Sequence, residues 1–295
     1  MNNPFSVLIS VYAKERPEYL QEALDSITKY QTVKPTEIVL VKDGPLTAEL
    51  EQVIDESQRE YPIYKIIQNP VNLGLGRSLA LGLQECGYEY VARMDSDDIS
   101  KPHRFEMLLK KIEEGYDVVS SNCEYFFGSL ENIVHKQTPE THEDIVKGMK
   151  SRNSISHGGT MFRKSKVLAA SNYQDFPMFE DYYLWVRMIR AGAKFFSIYE
   201  SLYFFRATLE LFQRRGGFSY LRAENKLHYG FVRIGFISFP KYVYNMIPRA
   251  VMRLLPNYLR EKGYVYMWKR DVRLNRKYKA EMGKPSPVSV HKVRH

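Results

Sequence analysis

The sequence predicts an α/β protein, a mixed and mostly parallel sheet flanked by helices, followed by a basic helical C-terminal extension. In the first hundred or so residues, short apolar runs alternate with segments of helical period, which is typical of parallel strands joined by crossover helices. Of the 295 residues, 44% are hydrophobic and 26% are charged, an ordinary composition for a packed globular protein. The charge is uneven: residues 1–205 carry 23 Lys and Arg against 29 Asp and Glu, whereas residues 206–295 carry 20 against 5.

The individual elements follow from these periodicities. Strands are expected at Phe5–Val11, Glu37–Val41, Tyr64–Ile67, Tyr90–Met94, Asp117–Ser121 and Thr160–Phe162. Helices are expected at Pro17–Lys29, Thr47–Glu60, Gly76–Glu85, Pro102–Glu114, Thr141–Lys150 and Glu180–Ala191. Pro17 suits the first turn of its helix, because that position needs no backbone donor.

The change in composition predicts three parts: an α/β domain over 1–205, a basic and aromatic helical extension over 206–283, and a disordered tail over 284–295. Pro240, Pro248 and Pro256 divide the extension. Because proline can begin a helix but disrupts its interior, we expect several short helices there.

The extension has three possible partners. Lys241, Asn245, Arg249 and Arg253 recur every four residues, so they would share one helical face, as in a segment that lies on an anionic membrane surface. The alternative is a solvated basic face on helices that pack against the α/β domain. A nucleic-acid-binding module is the third possibility, but the extension carries no recognised motif of that kind. No apolar stretch reaches the roughly 18 residues of a membrane-spanning helix.

Cys86 and Cys123 are the two cysteines, without a CxxC motif. This count argues against a disulfide framework or a structural zinc site and favours a reducing compartment.

The segment from Arg93 to Asp98 places three carboxylates directly after a predicted strand. Ligands of open α/β sheets bind at the carboxyl ends of the strands, and clustered carboxylates there suit Mg²⁺ or Mn²⁺ shared with a phosphate ligand. An acidic turn with a helix cap is the alternative interpretation.

Other polar groups follow neighbouring strands: Ser10 to Tyr12 after the first, Asp43 after the second, and Asn69 and Asn72 after the third. All are expected at one sheet edge, where an Asp can bind a nucleotide base or ribose. Asp43 precedes Gly44, however, and Asp-Gly is also a common turn.

Five stretches in this order resemble the family 2 glycosyltransferases, whose catalytic domain has the Rossmann-like, nucleotide-sugar-binding fold of glycosyltransferase-A type. They are residues 5–12, 37–44, 72–82, 94–98 and 180–185, and the resemblance extends over roughly residues 5–206. It implies a metal-dependent, inverting transfer of glucose, galactose or an N-acetyl form from a UDP-sugar to a glycan. The general similarity is to bacterial enzymes of O-antigen, capsule or exopolysaccharide assembly.

The resemblance also implies roles for individual residues. Ser10, Tyr12 and Asp43 would hold the uridine, and Asp95 and Asp97 would bind Mn²⁺ or Mg²⁺ and the diphosphate. Asn72 and Arg77 belong to the same donor side. Many family members have two successive acids where this chain has Lys42 and Asp43, which leaves Asp43 as the only candidate of that pair.

The catalytic base is expected at the start of the helix at Glu180–Ala191. With the resemblance, Asp181 is the candidate for deprotonating the acceptor hydroxyl, and Glu180 competes with it. Capping of the helix by these acids is the alternative.

Four further residues complete the prediction. His157 and Trp185 are expected on the acceptor side, although a lone histidine is often structural. Arg214 and Arg215 could close over the diphosphate as a lid, or could form a basic turn between domains.

The resemblance implies a UDP-sugar donor and an undecaprenyl-diphosphate-linked glycan as acceptor. With the basic extension, the expected partners also include an anionic membrane, and no nucleic acid is expected. The expected location is cytoplasmic, peripheral on the inner face of the cell membrane. A nucleotidyltransferase is the alternative enzyme, but it would carry a glycine-rich loop near the first strand, and residues 10–16 contain no glycine.

Overall fold

One mixed sheet organises the computed structural model, which describes residues 3–208, 216–256, 258–260, 262–263 and 266. Nine strands of this part form the sheet, in the order β3-β2-β1-β4-β8-β6-β9-β5, with β7 paired to β6. The strands are β1 (Phe5–Val11), β2 (Glu37–Lys42), β3 (Tyr64–Gln68), β4 (Tyr90–Asp95), β5 (Ile99–Ser100), β6 (Val118–Phe127), β7 (Ser129–Lys136), β8 (Met161–Arg163) and β9 (Phe195–Arg206).

The four strands β3, β2, β1 and β4 pair in parallel, and β1 is buried along its whole length. Such strands can be continuously apolar because helices cover both faces of the sheet. The pairing register places Ser10 of β1 opposite Val41 of β2 and opposite Asp95 of β4. The carboxyl ends of three strands therefore meet at one edge.

Except for α6, the helices in the first 208 residues lie close to their predicted positions. They are α1 (Pro17–Ile27), α2 (Ala48–Glu60), α3 (Leu75–Glu85), α4 (Arg104–Glu113), α5 (His142–Met149), α6 (Lys164–Ala169) and α7 (Glu180–Arg190). Thr47 and Thr141 cap α2 and α5 by accepting hydrogen bonds from Leu50 N and Asp144 N. The predicted α/β class, with a mixed and mostly parallel sheet, is confirmed.

Four elements were not predicted: β5, β7, β9 and α6. The longest of them, β9, runs parallel to β6 and antiparallel to β5. Its middle includes the exposed pair Tyr199 and Glu200, which interrupts the alternation by which a strand is usually recognised.

Two long helices follow, α8 (Gly217–Arg233) and α9 (Phe239–Leu254). The prediction of several short helices over this part is therefore wrong. Pro240 lies in the first turn of α9, as expected, but Pro248 lies inside the helix. Pro248 is on the exposed side, where water can bind the carbonyl that loses its helical partner. The predicted disordered tail, 284–295, lies outside the described residues.

Helices α8 and α9 pack against the sheet domain. Phe231 is fully buried and its ring lies 5.0 Å from that of Tyr182 in α7. Asn245 is also buried, and its side chain donates to the carbonyl of Lys150, 2.8 Å away. None of the helices in the described ranges is long and apolar enough to cross a membrane.

The polar face of α9 is turned the opposite way from the prediction. Arg249 and Arg253 both bind Glu224 of α8, at 2.9 and 3.0 Å. Their positive charges thus compensate the Glu224 carboxylate, which is buried and requires charged partners. The face that includes Asn245, Arg249 and Arg253 anchors the helix and does not form an exposed basic surface.

Candidate active site

Three strand ends bring the first group of predicted site residues together. Ser10, at the end of β1, is buried and lies beside Asp95 at the end of β4. The backbone N–H of Asp43 donates to the Val11 carbonyl at 2.8 Å, so Asp43 lies next to the end of β1 as well. Tyr12 follows with its side chain partly exposed. Ser10, Tyr12, Asp43 and Asp95 share one edge, as the sequence predicts.

The acidic turn after β4 is held by two arginines. The fully buried Arg93 donates to the Asp95 carboxylate. Arg206, at the end of β9, donates its backbone N–H to Asp98 Oδ1 at 2.8 Å and its Nε to the Asp97 carbonyl at 2.7 Å. The turn is therefore fixed between β4 and β9.

Negative charge in this turn is only partly compensated. Burial, together with the charges of Asp95 and Glu15, raises the pKa of Asp97 to about 7. Burial and the same neighbouring aspartates also raise the pKa of Asp98 well above its usual value. Asp98 Oδ2 is buried without a hydrogen-bond partner among the described residues. Carboxylates in this condition favour the approach of a cation.

The residues present fit a divalent ion that a phosphate ligand helps to hold. No three His, Cys, Asp or Glu side chains in the described ranges form a complete metal cage. Mg²⁺ does not need one, because one or two carboxylates plus substrate phosphates are its usual ligands. Gly158 leaves room beside the turn, since a Cβ there would lie 2.6 Å from Asp95 Oδ2 and 3.0 Å from Asp98 Oδ2. Asp95 and Asp97 are thus able to serve as ligands.

Asp43 organises the loop after β3. Its Oδ1 accepts from Leu73 N at 2.7 Å and its Oδ2 from Gly74 N at 3.0 Å, and the Asn69 side chain also donates to it. Asn72 donates to the Asp43 backbone carbonyl at 3.2 Å. The Asp43 carboxylate therefore has a structural use, and any contact with uridine would be additional to it.

Arg77 already has a partner. It binds Asp175 through Nη2 and Nε, at 2.5 and 3.0 Å, on the surface. A contact between Arg77 and the donor would have to displace this exposed ion pair, which costs little because such pairs are weak. Arg214 and Arg215, the predicted lid, lie outside the described residues.

A second acidic pair lies at the start of α7. Asp181 Oδ2 accepts a hydrogen bond from the side chain of Asn153 at 2.6 Å. Glu180 packs against α3, where a Cβ on Gly76 would lie 2.8 Å from Glu180 Cγ. Burial, followed by the charges of Asp181 and Asp175, raises the pKa of Glu180 to about 7. Both carboxylates are half-buried.

The segment 153–159 connects the two acidic groups. At its start Asn153 binds Asp181, and near its end Gly158 lies against Asp95 and Asp98. Between them, His157 Nε2 shares a hydrogen bond of 2.9 Å with the Tyr173 hydroxyl. Burial raises the pKa of the Tyr173 hydroxyl, and the negative charges of Asp181 and Asp95 add to this increase. The same short segment thus borders the sheet-edge carboxylates and the α7 carboxylates.

The two residues predicted on the acceptor side differ in placement. His157 lies within this segment, and burial lowers its pKa well below the usual value, so the neutral ring is favoured. Trp185 is 0% exposed and packs in the core, with its ring 5.9 Å from that of His157. A direct contact between Trp185 and an acceptor does not fit this position; the indole instead packs behind His157.

Sequence reasoning missed several residues of the site. Glu15 accepts from Ser96 at 2.6 Å and adds negative charge near Asp97. Arg206 was predicted only as a boundary between parts of the chain, and Asn153 had no predicted role of its own. Glu15 is four residues beyond the end of β1, which is the one signal that could have indicated it. The other contacts depend on chain packing.

The chain is similar to known proteins in sequence and in fold. The family model for glycosyl transferase family 2 matches residues 6–170. UDP-Gal:alpha-D-GlcNAc-diphosphoundecaprenol beta-1,3-galactosyltransferase of Escherichia coli is 37% identical, over 89% of this chain and 94% of that protein. The amylovoran biosynthesis glycosyltransferase AmsE of Erwinia amylovora is 36% identical, over 85% of this chain and 94% of its own length.

Two solved structures show the same fold at low sequence identity. TarS 1-349 of S. aureus in complex with UDP has a TM-score of 0.56 and 17% identity, covering 98% of this chain and 95% of that one. The mannosyltransferase PcManGT from Pyrobaculum calidifontis, in complex with GDP-Man and Mn2+, has a TM-score of 0.60 and 12% identity, covering 97% of this chain and 77% of that one.

Proposed function

The chain belongs to glycosyl transferase family 2 and is a glycosyltransferase, and we propose that it moves a hexose from a UDP-sugar to a lipid-linked glycan in bacterial surface polysaccharide synthesis. The observation that carries this proposal is the pair of acidic groups bordered by the segment 153–159. One group suits a diphosphate with its cation, and the other suits a hydroxyl that must lose a proton.

The donor we propose is UDP-galactose, with UDP-glucose and the N-acetyl sugars as alternatives. The name of the E. coli relative includes UDP-Gal, and that relative covers most of this chain. At the sheet edge, Ser10, Tyr12 and Asp43 are the candidate uridine contacts, beside the acidic turn. Asn72, which donates to the Asp43 backbone carbonyl, and Arg77 are the further candidates for contact with the donor.

The acceptor we propose is a sugar carried on undecaprenyl diphosphate. The E. coli relative is named for such an acceptor, and AmsE is named for amylovoran biosynthesis. An acceptor of this kind is a membrane lipid, so the enzyme would act as a peripheral protein on the inner face of the cell membrane.

The proposed reaction is a single displacement with inversion. The acceptor hydroxyl oxygen attacks the anomeric carbon, its proton passes to Asp181, and the bond between the anomeric carbon and the β-phosphate oxygen breaks as UDP leaves. Asn153 orients Asp181 for this task, since its donor fixes one carboxylate oxygen at 2.6 Å. Glu180 is the competing base because its pKa of about 7 matches a proton acceptor near neutral pH.

Asp95 and Asp97 are the proposed ligands of Mn²⁺ or Mg²⁺, an ion that supplies positive charge to the donor diphosphate when bound. Arg93 binds the Asp95 carboxylate and Arg206 binds the backbone carbonyl of Asp97, so the acidic turn is already in place when the donor arrives.

A donor and acceptor screen tests the proposal. UDP release would be measured for UDP-glucose, UDP-galactose and their N-acetyl forms, with Mn²⁺ or Mg²⁺ and a GlcNAc-diphosphate-lipid acceptor. We expect UDP-galactose to give the fastest acceptor-dependent release, lost when EDTA is added. Pyrophosphate release from a nucleoside triphosphate, without any UDP-sugar turnover, would instead identify a nucleotidyltransferase.

A further inference from the structure

Helix α9 exposes an apolar face to solvent. Phe239, Tyr244, Ile247, Val251 and Leu254 are between 58% and 72% exposed, and Val243 is 39% exposed. These six residues, called the outer face below, recur at helical spacing along one side of α9. Contiguous exposed apolar surface of this kind marks an interaction site.

The orientation of α9 is fixed from behind. Asn245 donates to the Lys150 carbonyl, and Arg249 and Arg253 bind the buried Glu224. If the helix rotated to bury its outer face, these polar groups would lose their partners, which is costly for buried charges. The outer face is therefore held outward by the polar interactions on the opposite side of the same helix.

Helices α8 and α9 carry exposed positive charge. On α9, the Lys241 ammonium lies 5.0 Å from the centre of the ring of Tyr244, a residue of the outer face. On α8, Arg222, Lys226 and Arg233 are exposed. Residues 206–295 as a whole carry 20 Lys and Arg against 5 Asp and Glu. Two copies of this region would repel each other, whereas an anionic surface would attract it.

We infer that the outer face of α9 inserts into the interfacial layer of an anionic bilayer, with Lys241 at the lipid headgroups and the positive charge of the C-terminal region attracting it to that surface. Apolar side chains flanked by basic and aromatic residues are typical of helices that lie in this layer. The membrane contact is made by the apolar side of α9. The arginines that give the sequence its basic period, Arg249 and Arg253, face the protein.

This contact also orients the active site, a point that rests on the proposed function. Asn245 and Arg249 donate to the carbonyls of Lys150 and Ser151. Two residues farther along the chain, Asn153 binds Asp181. The bilayer-facing helix is thus joined through a short segment to the proposed base. The proposed acceptor would be anchored in the same bilayer.

Two measurements test the insertion. In the first, the triple variant Ile247→Ser, Val251→Ser and Leu254→Ser is sedimented with vesicles of phosphatidylglycerol and phosphatidylethanolamine, at low and high salt. The matched control is Leu81→Ser, Leu130→Ser and Leu168→Ser, which are 39–41% exposed but lie on three different elements. We expect the outer-face variant to bind at least about tenfold more weakly and the control to bind as the wild type does.

In the second, an environment-sensitive fluorophore is attached to Ile247→Cys or, as control, to Leu168→Cys. The chain's own cysteines, Cys86 and Cys123, are buried at 2% and 0% exposure and should react little. Vesicles should increase the fluorescence of the label at 247 and leave the label at 168 unchanged. Equal vesicle binding by the outer-face variant and the wild type would overturn the inference. The inference would also be overturned if the wild type formed a dimer that the triple substitution dissociates, because the outer face would then bind a second copy of the chain.

Transfer to a short-chain, soluble acceptor separates this inference from the proposed function. We expect the outer-face variant to retain it. If the wild type inserts into vesicles but transfers no sugar, the proposed function fails alone. If it transfers sugar and the label at 247 does not respond to vesicles, the inference fails alone. Loss of soluble transfer in the variant would show that the outer face supports the fold and would also contradict the inference.

Discussion

The carboxylates at the sheet edge and those at the start of α7 differ in how the fold places them. Strand register fixes the first group, since Ser10 and Asp95 are partners in adjacent parallel strands. A tertiary hydrogen bond from Asn153 fixes Asp181 in the second. At the sheet edge, several aspartates lie close together and repel one another, and this raises the pKa of Asp97 beyond the effect of burial. At the helix start, Asp181 is oriented by a hydrogen bond and Glu180 is desolvated.

This difference supports the proposal that the two groups act in different steps, donor binding and proton acceptance. Clustered aspartates at a rigid edge suit a cation and a diphosphate, because their mutual repulsion falls when positive charge arrives. A carboxylate at a helix start, held by the Asn153 side chain and by the backbone N–H of Tyr182, suits proton acceptance. Variants in the two groups should therefore fail in different steps.

The largest effect is expected for Asp97→Ala at the sheet edge. Because a proposed cation ligand is lost, transfer should fall about ten-thousandfold. The rate of acceptor-dependent UDP release measures this. Asp55→Ala, on the exposed surface of α2, is the control and should behave as the wild type. Full activity of the Asp97 variant in the presence of EDTA would contradict the proposed metal dependence of transfer.

The next effect is expected for Asp181→Asn at the helix start. The amide keeps the shape of the carboxylate but cannot accept the proton, so turnover should fall about a thousandfold. Glu180→Gln should reduce turnover less. Rates at saturating donor and acceptor decide between them, and a larger loss in the Glu180 variant would make Glu180 the base.

The strands that form the sheet edge could be predicted from sequence, and the reason is local. Phe5–Val11 is apolar except for Ser6 and Ser10 and has the same bounds in the structure. Asp95 ends β4, and Asp97 and Asp98 follow it directly. A strand end and the polar residues beyond it belong to one short stretch, so a pattern read along the chain finds both.

The surroundings of the site could not be predicted, because they depend on residues distant in sequence. Arg206 binds the turn at Asp97 and Asp98 across more than a hundred residues, and Asn153 reaches Asp181 across 28. The orientation of α9 is another such case. Its four-residue polar period predicts a polar face correctly, but only Glu224 of α8 shows that this face is turned inward.

A smaller effect is expected for Asn153→Ala, which tests whether orientation matters at the helix start. Loss of one hydrogen bond to the carboxylate should lower turnover about tenfold and leave UDP affinity unchanged. In the Asp181→Asn background the same substitution should change little, because the group that it orients is already inactive. Equal losses in both backgrounds would show that Asn153 acts independently of Asp181.

The smallest effect on transfer, and a distinct effect on stability, is expected for Glu180→Gln. Burial raises the pKa of this carboxyl from 4.5 to about 7, so ionisation is less favourable in the folded state than in the unfolded state. The wild type should therefore lose stability as the pH rises from the unfolded to the folded pKa. Above about pH 7 the variant should be more stable by about 1–3 kcal/mol. Denaturant unfolding at pH 4.5 and pH 8 measures this, and a gap that does not widen with pH would contradict it.

The most direct test of the division between the two acidic groups is calorimetric titration of UDP into the wild type, Asp97→Ala and Asp181→Asn, with and without Mn²⁺. We expect Mn²⁺ to strengthen UDP binding in the wild type and in Asp181→Asn to the same extent, and to have no effect in Asp97→Ala. If Asp181→Asn loses the Mn²⁺-dependent binding while Asp97→Ala keeps it, the assignment of donor to the sheet edge and proton acceptance to the helix start is wrong.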